Sequence, residues 1–316
     1  MNNQILILWL VVLVFGPKVN LALELDRDIY FPGDVIRARL HAVSNKSFDM
    51  EELRIEFNCV STLTYSVTVS EYDSEGEYTT YSRTYTDTKN LYNYRQQVYG
   101  KGKFPREGVS VELEIPIPVD APPSYVGRTI NTNWAIKAVI NRRFRSDFTF
   151  EKPVYILSRY ISSERFQPIS FPFDFGDVVA SVVLPKQVLQ TGEVVPGEIH
   201  IMAKNEVSFN EVRAALCFVE NINVSGVYRP IDTRYIDGST IGESAKQIVV
   251  KDVKLYPGQE RMFPFQLQIP SALISSASTP FYEVQWALKV TLSRRLRKDF
   301  NLNVPVLLVN QIQSQI

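Results

Sequence analysis

The chain has 316 residues, of which 45% are apolar, 12% aromatic and 22% charged, the balance of a well-packed globular protein about two domains long. Its 34 basic and 34 acidic residues cancel, so no bulk field gathers nucleic acid, and nucleic-acid binding is set aside as a main function. Two cysteines, Cys59 and Cys217, make no disulfide scaffold and read as reduced structural thiols, which favours a cytosolic address.

In chain order, Ile5–Phe15 (ILILWLVVLVF) is an unbroken apolar run, about half the length a helix needs to cross a bilayer. The preceding MNNQ carries no Lys or Arg, unlike the flank of a typical signal peptide. Residues 1–17 are therefore set apart as an N-terminal extension: a signal-peptide core, an extra strand or upstream sequence. From Val19 the pattern alternates strictly. Val19, Leu21, Leu23 and Leu25 face one way, which predicts a half-buried strand. Phe31-Pro32-Gly33-Asp34 supplies a tight turn. Ile36, Ala38, Leu40 and Ala42 then form the inner face of a second strand, with Arg37, Arg39 and His41 outside. Leu53–Val60 is a third strand. Ser61–Phe104, with eight tyrosines among threonines and serines, predicts long, partly exposed hairpin strands turning at Asp73–Gly76.

The second half repeats the first. Leu25–His41 (LDRDIYFPGDVIRARLH) returns as Leu184–His200 (LPKQVLQTGEVVPGEIH), 159 residues on. Leu53–Val60 returns as Val212–Val219 at the same offset, with Cys59 and Cys217 one position out of register, which points them to opposite strand faces. Val109–Pro116 matches Arg261–Pro270, both ending in Ile-Pro. Trp134–Val154 (WAIKAVINRRFRSDFTFEKPV) returns as Trp286–Val306 (WALKVTLSRRLRKDFNLNVPV) at an offset of 152, with ten of 21 positions identical. The inner faces are Trp134, Ile136, Ala138 and Ile140 in one copy and Trp286, Leu288, Val290 and Leu292 in the other. Nothing shows sustained 3.6-residue periodicity. Short strands with Gly/Pro turns, written twice, predict an all-β chain of two tandem antiparallel β-sandwiches of immunoglobulin-like architecture, related by internal duplication. The expected division is 18–157, a stiff aromatic and proline-rich linker over 158–177 packed against a domain, and 178–310.

This order of motifs resembles the arrestin superfamily. Each unit opens strand–PGD or TGE–strand and closes through Ile-Pro, a loop, a Trp-Ala-(Ile/Leu)-Lys strand and a last strand. Asp120-Ala121-Pro122-Pro123-Ser124-Tyr125-Val126-Gly127 before Trp134 is similar to the alpha-arrestin stretch in which Pro-Pro-Ser-aromatic-x-Gly precedes the penultimate strand, and Phe15-Gly16-Pro17-Lys18-Val19 looks like the start of many alpha-arrestins. Prokaryotic relatives share the pattern. The resemblance implies a non-enzymatic adaptor or scaffold, binding protein partners such as integral membrane proteins or trafficking machinery through sheet faces and loops. Two family features find no match here. After Val309 the sequence runs NQIQSQI without a Pro-Pro-x-Tyr tail, and Lys18 stands without the second lysine of a phosphate-receiving pair.

Several residues fit a specific role and a plainer one. Pro122-Pro123-Ser124-Tyr125 satisfies Pro-Pro-x-Tyr, but a WW-domain ligand must lie free in another groove, so an inter-strand loop packed on the sandwich is expected. The basic tips, with Arg142, Arg143 and Arg145 in one copy and Arg294, Arg295, Arg297 and Lys298 in the other, are candidate contacts for a partner or an anionic membrane surface; their plainer role is hairpin-end solvation. His41 and His200 lie a domain apart on equivalent outward positions, so a two-histidine metal site is not expected. No catalytic constellation can be built from two separated histidines. Asn45-Lys46-Ser47 and Asn223-Val224-Ser225 are glycosylation sequons that matter only if the chain is secreted. No catalytic, cofactor-binding or metal residues are assigned. The expected protein is a cytoplasmic adaptor, peripheral at membranes; the alternative is a secreted or surface-attached structural or adhesive protein delivered by the N-terminal run.

Overall fold

A computed structural model describes residues 16–72, 76–162, 167–223, 233–237, 239–271 and 275–314. The apolar run Ile5–Phe15, the turn residues Asp73–Glu75, and Val224 and Ser225 of the second sequon lie outside these. Among the described residues every regular element is a strand. The principal ones are β1 (Val19–Leu25), β2 (Val35–Ser44), β3 (Glu52–Tyr72), β4 (Tyr78–Tyr99), β5 (Val109–Pro116), β6 (Ile130–Asn141), β7 (Phe148–Ile156), β8 (Ile169–Asp174), β9 (Val178–Leu184), β10 (Val194–Ala203), β11 (Val207–Ile222), β12 (Ser239–Leu255), β13 (Glu260–Gln268), β14 (Tyr282–Ser293) and β15 (Phe300–Val309).

Each copy is two sheets. In the first, β1-β2-β5 faces a sheet ordered β4-β3-β6-β7, with Ile29–Tyr30 running parallel to the end of β7. In the second, β9-β10-β13 faces β12-β11-β14-β15, with Val188–Gln190 parallel to β15. The alternation places the expected faces inside: Ile36, Ala38, Leu40 and Ala42 are buried, as are Val195, Ile199 and Ile201. Burying each such aliphatic side chain contributes about 1.5–3 kcal/mol. Gly33 and Gly192 both turn with φ 83°, the left-handed conformation that glycine adopts without a Cβ clash. Gly197 has a different reason. The Phe265 ring lies across it on the neighbouring strand, where a Cβ would overlap the ring.

The tryptophans anchor the two cores. Trp134 packs 5.0 Å from Phe57, and Trp286 packs 5.1 Å from Phe218. Cys59 points into the first core, where burial pushes its thiol up to about 12. Cys217 lies partly exposed on the opposite sheet face, as the one-residue register difference predicts, and neither cysteine is in a disulfide.

Two findings go beyond the sequence reading. Residues Ile169–Asp174 of the linker form β8, which pairs antiparallel with β9 and lays Ile169, Phe171 and Phe173 against the second core. The Tyr-rich middle forms the long, partly exposed hairpin of β3 and β4, but its inner face serves the other copy. Leu63, Tyr65 and Val67 are buried in the second copy's core rather than their own, and Thr233–Asp237 pairs with the end of β3. The chain's halves thus share a sheet and a core.

Candidate functional site: domain junction, groove and hairpin tips

The junction is built from loop 125–129, which leads into β6. Glu220, near the end of β11, is fully buried. Its Oε1 accepts hydrogen bonds from Tyr125 Oη at 2.7 Å and Arg128 N at 2.9 Å. Its Oε2 accepts from Thr129 N at 2.8 Å and Thr129 Oγ1 at 2.7 Å. A carboxylate of one copy therefore sits in a cradle of donors from the other, which is how a buried charge avoids the cost of lost hydration. Gly127 makes room, since a Cβ there would overlap Glu220 Oε1 and the Tyr125 ring. Burial, then the hydrogen bond to Glu220, holds the Tyr125 phenol well above its usual range.

Beside the cradle, Ser61 Oγ, Thr132 Oγ1 and Tyr282 Oη form a buried chain with 2.7 Å links. Burial pushes Tyr282 up to about 12. The Pro-Pro-Ser-Tyr stretch is part of this packing: Tyr125 is 1% exposed, Ser124 Oγ accepts from Ile156 N, and Pro122 O accepts from Trp134 Nε1 at 2.9 Å. The inter-strand-loop expectation fits this geometry.

A further contact joins equivalent residues. Arg159–Ser162 runs parallel to Gln311–Ser314, with Arg159 opposite Gln311, the same 152 offset that relates Trp134 to Trp286. Asn310 Oδ1 accepts from Ser158 N, and Ser158 Oγ accepts from Asn310 N, each at 2.9 Å.

The outer face of β11, β14 and β15 holds a groove of about 810 Å³, lined by Cys217, Val219, Gln285, Ala287, Pro305 and Leu307 among others.

The basic tips are two builds of one loop. Arg142 N donates to Asp147 Oδ1 at 3.0 Å, and Arg294 N donates to Asp299 Oδ1 at 2.9 Å. The Arg142 and Arg294 guanidinium groups donate back to Ser146 O and Lys298 O and stack over Phe148 and Phe300 at 3.9 and 3.6 Å. Those two arginines staple the hairpin. Arg143, Arg145, Arg295, Arg297 and Lys298 are exposed. Between them project residues that a search for charge passes over: Phe144, 91% exposed, and Leu296, 97% exposed. Both hold left-handed backbone, φ 57° and 56°, which costs a non-glycine residue about 1–2 kcal/mol. The signal was in the repeat, because both copies place an apolar residue between arginines where glycine or asparagine would fit the turn better.

Among the described residues no three His, Cys, Asp or Glu side chains group as a metal site. His41 and His200 each lie near a glutamate, Glu24 at 3.8 Å and Glu198 at 3.0 Å.

Two family models match the chain, one over each half. Residues 19–162 match "Arrestin (or S-antigen), N-terminal domain", and residues 175–312 match "Arrestin (or S-antigen), C-terminal domain". No curated protein matches the chain. With both halves matched in order, the chain belongs to the arrestin superfamily, whose members are in general adaptors and scaffolds.

Proposed function

We propose that this chain is a non-enzymatic cytoplasmic adaptor that touches anionic membrane through its hairpin tips while holding a membrane-protein partner, with the outer groove of the second copy as the protein contact. The observation that carries the reading is the pair of tips, each an exposed apolar side chain collared by arginines. Burying Phe144 or Leu296 in a bilayer interface contributes up to about 1.5–3 kcal/mol. Each nearby cation adds about 1 kcal/mol on an anionic surface. One tip with two arginines therefore reaches about 4 kcal/mol, a Kd near ~1 mM. Such contact is reversible and becomes useful only when a bound protein supplies the second attachment, which is the arithmetic of an adaptor.

The test is co-sedimentation with phosphatidylserine-containing and pure phosphatidylcholine vesicles. The expected result is binding to the anionic vesicles alone, weakened at least tenfold by Phe144→Asp with Leu296→Asp and lost at high salt. Equal sedimentation of wild type and double variant overturns it. The secreted alternative is decided by the intact mass and cell fraction of the protein from its native host: a species trimmed after the apolar run and found outside the cytosol sinks the cytoplasmic adaptor.

A further inference from the structure

His200 and Met202 lie two residues apart on β10 and face the outside of the β9-β10-β13 sheet, while Ile199 and Ile201 face the core. Met262 on β13 stands directly opposite His200, on the same outer face. Directly opposed residues of an antiparallel pair have Cβ atoms about 4.5–5.5 Å apart, and the diagonal neighbours about 7–8 Å, within reach of long side chains. Met202 and Met262 are 41% and 52% exposed. They are two of only four methionines in the chain, gathered around one of its two histidines.

The histidine is already oriented. Glu198 Oε2 lies 3.0 Å from His200 Nε2, so in the neutral imidazole Nε2–H donates to the carboxylate and Nδ1 carries the lone pair. This is the arrangement in which a carboxylate outside the coordination sphere fixes the tautomer of a metal-binding imidazole. Glu260 Oε1 is 4.0 Å from Nδ1, beyond hydrogen-bond distance, so that carboxylate does not hold a proton on Nδ1.

The first copy supplies the comparison. It keeps the histidine as His41, but the position matching Met202 is Val43 and the residue opposite His41 is Ser110. The duplication departs at two positions around this histidine, and in the second copy both carry a thioether.

We propose that His200 Nδ1, Met202 Sδ and Met262 Sδ form a three-coordinate site for a soft monovalent cation, Cu(I) above all. Thioether sulfurs select Cu(I) over Zn, Mg or Ca, and imidazole completes a set suited to copper. The unbranched methionine side chains can swing to a common centre over the sheet. Glu198 stays outside the first coordination sphere and holds the ring.

The experiment uses the full chain carrying Cys217→Ser, so that the partly exposed thiol does not compete. Anaerobic titration against the Cu(I) chelator bicinchoninate is expected to withdraw one equivalent of copper. One equivalent of Ag(I), a stand-in that resists oxidation, is expected to shift the methyl resonances of Met202 and Met262 while leaving Met50 in place. Met202→Leu with Met262→Leu keeps the apolar volume and is expected to weaken Cu(I) binding at least 100-fold, with an unchanged circular dichroism spectrum; His41→Ala is expected to change nothing. Failure to withdraw copper, unmoved methyl resonances, or equal affinity in the double methionine variant each overturns the assignment.

Discussion

Replacing Glu220 by alanine removes the acceptor for four donors at once: the Tyr125 and Thr129 hydroxyls and the backbone N–H groups of Arg128 and Thr129. The hydroxyls can turn to other partners, but the two N–H groups are fixed by the backbone. Each buried donor left unpaired costs about 1–3 kcal/mol. The two N–H groups together set a range of about 2–6 kcal/mol. Arg128 and Thr129 retain some exposure, so water meets part of the loss and a cost of about 3 kcal/mol is expected. For domains of this size that lowers Tm by about 6–12 °C. Calorimetry of wild type, Glu220→Ala, Tyr125→Phe and the double variant gives the decisive cycle. Tyr125→Phe alone loses one hydrogen bond to a charged group, about 2 kcal/mol, and on top of Glu220→Ala it is expected to cost almost nothing. Additive losses, or a fall under about 2 °C for Glu220→Ala, would refute the cradle as a structural device.

Three other outcomes follow from the same geometry. Gly127→Ala is expected to lower Tm about as far as Glu220→Ala, because its Cβ overlaps the carboxylate oxygen and the Tyr125 ring, and the two changes together should not add. Phe144→Asn and Leu296→Asn should each raise stability by about 0.5–1 kcal/mol, since asparagine tolerates left-handed backbone, while weakening vesicle binding; paired melting and sedimentation assays check both signs. Cys59 is raised from 9.0 to about 12 and Tyr282 from 10.0 to about 12. Both are neutral when protonated, so the folded state holds these protons more tightly than the unfolded chain. Their contribution is complete below pH 9 and lost as pH rises toward 12, and urea midpoints at pH 8, 10 and 11.5 are expected to fall in that order.

Much of the fold was legible because the sequence states it twice. Alternation at Ile36–Ala42 and at Trp134–Ile140 fixes which face is buried, and the repeats at 159 and 152 residues align the strands. Local patterns end where partners lie far apart. Tyr125 and Glu220 are 95 residues apart, and no periodicity joins them. The tyrosines of β3 and β4 look like partly exposed strand residues, yet the long β3 carries Leu63, Tyr65 and Val67 past their own sandwich into the neighbouring core. At the tips, charge drew attention to all seven basic residues. The apolar side chain between them and the stapling role of Arg142 and Arg294 depend on turn geometry, which composition does not reveal.

The differences between copies also explain why the halves pair with each other. The contact of Arg159–Ser162 with Gln311–Ser314 joins equivalent residues, as in an isologous dimer, and by itself it would let two second copies associate equally well. The cradle removes that symmetry. At the 152 offset, the positions of Tyr125, Arg128 and Thr129 in the second copy are Ala277, Pro280 and Phe281: no phenol, no N–H on the proline, and no hydroxyl. A second copy docking on another would bury Glu220 against groups unable to receive it, and an unpaired buried charge is costly enough to forbid the pairing. The first copy presents Ser61 at the matching position, a small hydroxyl that Thr132 satisfies within its own copy. Glu220 therefore does more than stabilise the junction. It makes the intrachain pairing of unlike halves the one in which the buried carboxylate meets its four donors.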